Sequence, residues 1–361
     1  MNHASTVLDD GIIPDTVRWC RQRRTYLVIT LVLLILVALL ALFLALGTGS
    51  VTIAPGVVWQ VLMGNSDGGL AAEVVLRLRL PRAISAFATG GLLTLAGALL
   101  QVFLRNPLAE PYLLGVSGGA AVGALSVLAL GLGGGWLRGA ACLGALVSIA
   151  LVFGLSRGPG AWNPSRLLLT GVVVAAGWGA MVGLLLAVSP DAGLRGMLFW
   201  LMGDLGQAQT PGTALITLIL GLIMALVLAP RLNILVRGEL SAAALGVAVE
   251  GVRLAVYLLS SVLTAVAVTE AGCVGFVGLI VPHLMRLIVG TDHRLLLPTA
   301  SLLGGTLLLV ADTMARTIVA PRELPVGVIT ALLGVPVFLV LLRLPFSSTS
   351  RKKSSLIAGK R

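Results

Sequence analysis

The 361 residues include 58% hydrophobic side chains, 45 glycines and only 11% charged side chains, and the mean hydropathy is +1.05. A soluble domain carries about 25% charged residues and lacks the interior to hide this much apolar surface, so a soluble enzyme and a disordered regulator are excluded. The net charge of +11 does not indicate nucleic acid, because Lys and Arg lie in small clusters between apolar runs rather than in a stripe interleaved with aromatics.

Residues 1–25 read as a cytoplasmic N-terminal segment, with Asp9, Asp10 and Asp15 ahead of the basic cluster Arg18, Arg21, Arg23 and Arg24. The apolar run Tyr26–Leu46 has close to the ~20 residues a bilayer crossing needs, and no small-residue cleavage site follows it. It is expected to be a retained first helix. Residues 51–80 are too polar to span, and Val57, Val58, Val61 and Leu62 predict a short amphipathic helix at the surface. Apolar runs between charges and Gly/Pro breaks predict further spans near 83–104, 112–132, 138–156, 167–189, 211–230, 253–270, 274–290, 295–315 and 325–343, with 194–209 a second surface element. An N-terminus in the cytoplasm then puts most of the 25 Lys and Arg inside, including Arg351, Lys352, Lys353, Lys360 and Arg361 of the basic tail 346–361. The expected fold is an all-α polytopic membrane protein: one transmembrane domain over 26–345 with about ten transmembrane helices and both termini cytoplasmic.

Two spans carry small residues in rows, Gly115, Gly119 and Gly123 in one, and Gly171, Ala175, Gly179 and Gly183 in the other. Such rows let helix backbones approach closely in lipid; a smooth wall for a passing solute is the sharper reading. Cys20, Cys142 and Cys273 are far apart, and with only His3, His283 and His293 besides, neither a metal site nor a disulfide framework is expected. The chain has no G-x-x-x-x-G-K-[ST] phosphate loop, its one Gly-Lys pair being Gly359-Lys360. ATP-driven work therefore has to come from a partner.

Asp312 precedes Arg316 by one helical turn, which predicts an internal ion pair. Glu270 falls at the outer end of its span and reads as interfacial. A proton-coupled secondary transporter, the reading from a different class, needs acidic or His residues at the bilayer midplane, and no clear set is present. Gly115-Val116-Ser117-Gly118 matches the G-x-S-G of rhomboid proteases, with His283 as the candidate base, but this short pattern arises readily by chance in so glycine-rich a chain. The segment Arg231–Arg253, with Arg237, Glu239 and Glu250, occupies the longest expected cytoplasmic loop and reads as a short helix–turn–helix lying against another surface or as an ordinary solvated connector.

Taken in order, these pieces resemble a known family. Arg79-Leu80-Pro81-Arg82 precedes a span ending in Arg105-Asn106-Pro107-Leu108-Ala109-Glu110-Pro111, followed by Leu114-Gly115-Val116-Ser117-Gly118-Gly119-Ala120. Leu232-Asn233, Gly238-Glu239 and Leu245-Gly246-Val247 come next, then Gly275-Phe276-Val277-Gly278-Leu279-Ile280-Val281-Pro282-His283, Asp292-His293-Arg294 and Leu297-Pro298. Ala311-Asp312, Ala315-Arg316 and Glu323-Leu324-Pro325-Val326-Gly327 complete the set. It is similar to the FecCD-type permeases of ABC importers for ferric siderophores, haem and vitamin B12, over about 79–343.

The resemblance implies a dimeric permease, homo- or heterodimeric, in the bacterial inner membrane. It would sit on two ABC ATPase subunits that bind the ATP and magnesium, and it would be served by a periplasmic or lipid-anchored substrate-binding protein. It implies that Arg79, Arg82 and Arg316 receive carboxylates of that binding protein, and that Asn106, Pro107 and Leu108 form an inner gate with the loop at Asn163, Pro164 and Ser165. Gly238, Glu239, Ala243, Leu245 and Gly246 would dock on the ATPase. Within this chain no catalytic residue, metal or cofactor is expected. A ferric siderophore is the first cargo, as the family's commonest substrate, with a corrinoid or haem as the alternative. Two positions depart from the family pattern: Pro164, where a small polar residue is frequent, and Cys273, where proline is common.

Overall fold

The computed structural model describes residues 12–49, 51–65, 69–156, 164–206 and 211–343, with side chains from Tyr26 onward. Residues 1–11, Asn163 and the tail 346–361 lie outside the described residues, as does the side chain of Pro164. The described elements are helices, with no strand among them.

Among the described residues, seven helices or helical runs are long and apolar enough to cross a membrane, and three shorter apolar helices accompany them. The long ones are α1 (Ile12–Gly47), α4 (Leu80–Phe103), α6 (Gly135–Ser156), α7 (Pro164–Val188), α9 (Gly212–Leu235), α11 (Val249–Ala271) and α13 (His293–Thr317). The short ones are α5 (Val116–Ala129), α12 (Val277–Val289) and α14 (Val326–Arg343). Each of the ten expected spans coincides with one of these helices. Three smaller helices lie between them: α2 (Pro55–Leu62), α3 (Leu70–Glu73) and α10 (Glu239–Ala244); α8 (Asp191–Leu201) fills the second expected surface segment. On α2, Val58 and Val61 are buried against Leu46 as expected of an amphipathic helix, whereas Val57 and Leu62, expected on the same face, are exposed with Trp59.

Helix α4 is the axis of the fold, because its small residues let four neighbours reach its backbone. A Cβ on Gly90 would lie 2.2 Å from the Gly304 carbonyl oxygen of α13, and one on Gly97 would lie 1.9 Å from that of Gly278 on α12. Helices α9 and α11 close the remaining sides, with Leu218 against Gly91 and Leu263 between Gly221 and Leu95. The pair α5/α6 uses the same device, Gly119 meeting Gly144 and Gly123 meeting Ala140 backbone to backbone. Without a hydrophobic drive between helices in lipid, this close packing is what holds them together. The second small-residue row divides: Gly171 and Ala175 of α7 pack against Gly115, whereas Gly179 and Gly183 have open space beyond them.

The helix that holds α4 starts earlier than expected. It runs continuously from Leu70, passing through a π-helical stretch at Val74–Arg79 just before Pro81. Proline cannot donate to the ladder, and its ring crowds the carbonyl four residues back. Widening the preceding turn accommodates it, so the proline marks a change of pitch rather than a helix start. The bend between α11 and α12 forms without a proline at Cys273. Gly272 (φ 65°) and Phe276 (φ 69°) both adopt the left-handed region, and a Cβ on Gly272 would lie 2.2 Å from the Trp200 carbonyl oxygen, so glycine is required there.

Candidate functional site

Polar groups gather at the two ends of α4. At its Leu80 end, Asp312 of α13 is fully buried. Arg82 donates to its Oδ1 from Nη2 at 2.9 Å and from Nε at 3.1 Å, and Nη1 of the same guanidinium reaches Glu323 Oε2 at 2.9 Å. Arg316 Nε stands 3.1 Å from Asp312 Oδ2, the one-turn ion pair expected from the sequence. A planar guanidinium with forked donors can serve two carboxylates at once, where an ammonium would act as a point charge. Arg79 turns away from this group: its guanidinium donates to the carbonyls of Leu46, at 2.8 Å, and Val51. It thereby satisfies a carbonyl left open where α1 ends. The three expected docking arginines therefore share one end of the molecule, and each is bonded within the chain. Glu270, one residue before the end of α11, is buried within the protein, and its Oε1 accepts from Thr213 Oγ1 of α9 at 2.7 Å.

At the Phe103 end the chain leaves α4 through a tight turn. Arg105 adopts φ 50°, and Asn106 Oδ1 accepts from the Leu108 amide at 2.9 Å, a side-chain-closed turn that Pro107 helps stiffen. Leu108 is exposed. Gln101, one turn earlier, donates to the Leu279 carbonyl and accepts from Arg286 Nη1, so α12 is tied to the same end of α4. Pro164 opens α7 and Ser165 is exposed.

Beside this turn stands the expected ATPase-docking loop. Gly238 (φ 123°) starts α10 with a backbone that L side chains rarely adopt. Gly246 (φ 78°) ends it, with the amides of Gly246 and Val247 closing onto the carbonyls of Ala243 and Ala242. Ala242 is buried against the core, whereas Ala243 and Leu245 are exposed and Leu240 is 90% exposed. Glu239 joins three elements through one carboxylate oxygen. Arg105 Nη2 of the turn lies 2.8 Å from Oε1, and Arg253 Nη2 of α11 donates to the same atom. A second polar group sits at the start of α13: Asn233 donates to Asp292 at 2.7 Å and accepts from the His293 amide at 2.9 Å. The lone pairs of Asp292 are further used by the Arg294 amide. Burial pushes the Asp292 carboxyl upward, but the hydrogen bonds from Asn233 and the Arg294 amide, with the charges of Arg294 and His293, hold it below the ordinary aspartate value.

Arg105, Arg253, Leu240 and Glu323 carry no signal in the sequence that assigns them a role. Arg253 and Glu239 were visible as charges in one loop, and Leu240 as an apolar residue between polar ones. Their juxtaposition with Arg105 depends on the tertiary fold.

Residues 33–344 match the FecCD transport family. The chain is 43% identical over 317 residues to the hemin transport system permease protein HmuU of Yersinia pestis, covering 84% of this chain and 93% of that protein. It is 42% identical over 281 residues to the cobalamin import system permease protein BtuC of Halobacterium salinarum, covering 76% and 74%. With the vitamin B12 import system permease protein BtuC of Salmonella paratyphi A it shares 39% identity over 328 residues, 90% of this chain and 98% of that one. Its fold superposes on a solved metal-chelate type ABC transporter in an inward-facing conformation with a TM-score of 0.76 at 33% identity, covering 88% and 99%. The ordered motifs, the ten apolar helices and these likenesses agree: the chain is a multi-pass membrane protein that belongs to the FecCD transport family, as a permease of the ABC importer class.

Proposed function

We propose that this permease carries a bulky metal chelate into the cytoplasm by alternating access, across a bacterial inner membrane. In this reading it pairs with a second permease subunit, identical or not, around one central pathway. Two ABC ATPase subunits bind ATP and magnesium and hydrolyse the nucleotide; a periplasmic or lipid-anchored binding protein delivers the cargo. The observation that carries the reading is the exposed apolar face of α10, Leu240 with Ala243 and Leu245, standing next to the turn 105–108. A small exposed apolar patch on a polar loop is what a partner docks on. Its neighbour, the Asn106-Pro107-Leu108 turn with the start of α7 at Pro164 and Ser165, is the inner gate in this reading.

For cargo, the relatives named above are permeases for hemin and for cobalamin, which supports a tetrapyrrole chelate, haem or corrinoid, as a candidate beside the ferric siderophore expected from family frequency. The open part of the small-residue row on α7, Gly179 and Gly183, supports a wall past which a rigid solute slides without being held. Arg79, Arg82 and Arg316 remain the proposed docking group for the binding protein. They act there through the net positive charge that three arginines keep against Asp312 and Glu323, because their guanidinium groups are already engaged.

The test is uptake of labelled hemin, cobalamin and ferric siderophore by cells with and without the gene, each with an ATP-depleted control. Uptake of one cargo that needs both gene and ATP supports the reading. Gene-dependent uptake that survives ATP depletion would sink it in favour of a secondary transporter.

A further inference from the structure

The reach of Glu239 has a use beyond folding. Its two arginine partners differ in kind. The Arg253 side chain is only 8% exposed and belongs to the first turns of α11, so it fixes the carboxylate to the helical body. The Arg105 side chain is 43% exposed and belongs to the gate turn. An exposed ion pair is weak and opens readily, whereas a buried guanidinium left without its carboxylate is strongly disfavoured. Glu239 is also the first residue of α10, where its charge suits the helix start and where movement of that helix displaces the carboxylate directly. On the other side of the contact, Arg105 holds φ 50° without being glycine. Such a backbone persists only where its surroundings hold it, and the Glu239 contact is one of those restraints.

We infer that the Glu239–Arg105 pair is the releasable link through which displacement of α10 reaches the turn 105–108, with Arg253 as its fixed end. Arg105 and Glu239 are thus positioning residues for gating. The inference rests on the reading of α10 as the ATPase-docking helix and of the turn as the gate.

The test uses the full chain in lipid nanodiscs and, separately, the assembled transporter. In nanodiscs, Arg105→Gln speeds amide hydrogen exchange across 104–110 at least fivefold relative to wild type. Arg105→Lys, which keeps the charge, stays within twofold, as a purely steric role would not predict. Glu239→Gln reproduces the acceleration, and the melting temperature of Arg105→Gln checks that the fold is intact. In the assembled transporter, Arg105→Gln raises the ATP hydrolysed per cargo imported at least fivefold, and Arg105→Lys restores it. Exchange within twofold of wild type in both Arg105→Gln and Glu239→Gln overturns the inference, as does an unchanged ATP-to-cargo ratio. Absence of ATP-dependent uptake by the wild type overturns the importer reading instead, and the exchange measurement, which needs neither ATPase nor cargo, still decides the link.

Discussion

Asp312 is a fully buried carboxylate in a membrane protein, and it holds there because Arg82 and Arg316 approach it from two helices. Taking such charges out of water is costly, and removing one partner leaves the others uncompensated. Asp312→Asn is expected to destabilise the chain by about 3–5 kcal/mol, read as a fall in melting temperature in detergent. Glu323→Gln removes a half-exposed partner of the same guanidinium and is expected to cost less than about 1 kcal/mol. An unchanged melting temperature for Asp312→Asn would mean that the two arginines find other acceptors. The same geometry bears on docking of the binding protein. The double change Arg79→Glu with Arg82→Glu is expected to abolish uptake, but it also sets a second carboxylate against Asp312, so lost stability and lost docking fall together. Arg322 is exposed and adjacent to Glu323; Arg322→Glu lowers the charge of this face without touching the buried pair. If the face docks a binding protein electrostatically, Arg322→Glu lowers uptake most at low ionic strength with no change in melting temperature. Equal uptake at all salt concentrations would argue against docking by charge.

Between elements, contact is governed by how closely backbones can approach. On α4 a methyl group at Gly97 would overlap the Gly278 carbonyl, so Gly97→Ala must push α12 away. The expected loss is about 1–3 kcal/mol, seen as a reduced yield of folded protein after detergent extraction. Gly179→Ala on α7 meets only open space and is expected to fold as wild type; if its face lines the pathway, Gly179→Leu lowers uptake without lowering stability. The junction of α9 with α13 adds a dependence on pH. The folded-state value of Asp292 is depressed, so its contribution is fully present above the unfolded value of about 4 and is lost as pH falls through the lower folded value. Asn233→Ala removes a side-chain hydrogen bond that lowers it. The variant should therefore be less stable than wild type at neutral pH, and the difference should shrink as acidification protonates Asp292. A difference that is constant down to pH 3 would place the effect of Asn233 elsewhere, on His293.

Across the whole molecule, the parts legible in the sequence are those set by local composition. A run of about 20 apolar residues is a property of one stretch of chain, which is why ten spans could be placed and why α2 was recognisable from its four apolar residues, of which Val58 and Val61 turn inward. The early start of the helical run at Leu70 was not legible, because the charges at Glu73, Arg77, Arg79 and Arg82 make this stretch too polar to read as part of a span. The two-armed pairing of Arg82 joins residues 230 positions apart, and the meeting of Arg105 with Glu239 is equally a product of the packed fold. Motif order identified the family, yet it marked positions without showing which arginines were already engaged. The surface of α10 shows the same division. Glycines 238 and 246 announced a short bounded element, while only the packed structure reveals that Ala242 turns inward and Leu240 outward. With 90% of Leu240 and 67% of Leu245 exposed, these two side chains offer apolar area that gains nothing in the isolated permease. Burial at about 25 cal/mol per Å² makes a fully covered leucine worth about 2 kcal/mol to a complex, or roughly thirtyfold in affinity. Leu240→Asp removes that gain and adds a charge to be desolvated, so it should cut ATPase co-purification by at least tenfold while leaving the permease's melting temperature unchanged, because Leu240 contributes almost nothing to the core. Retention of the ATPase at wild-type levels would move the docking surface away from α10, and with it the reason for placing the gate beside this helix.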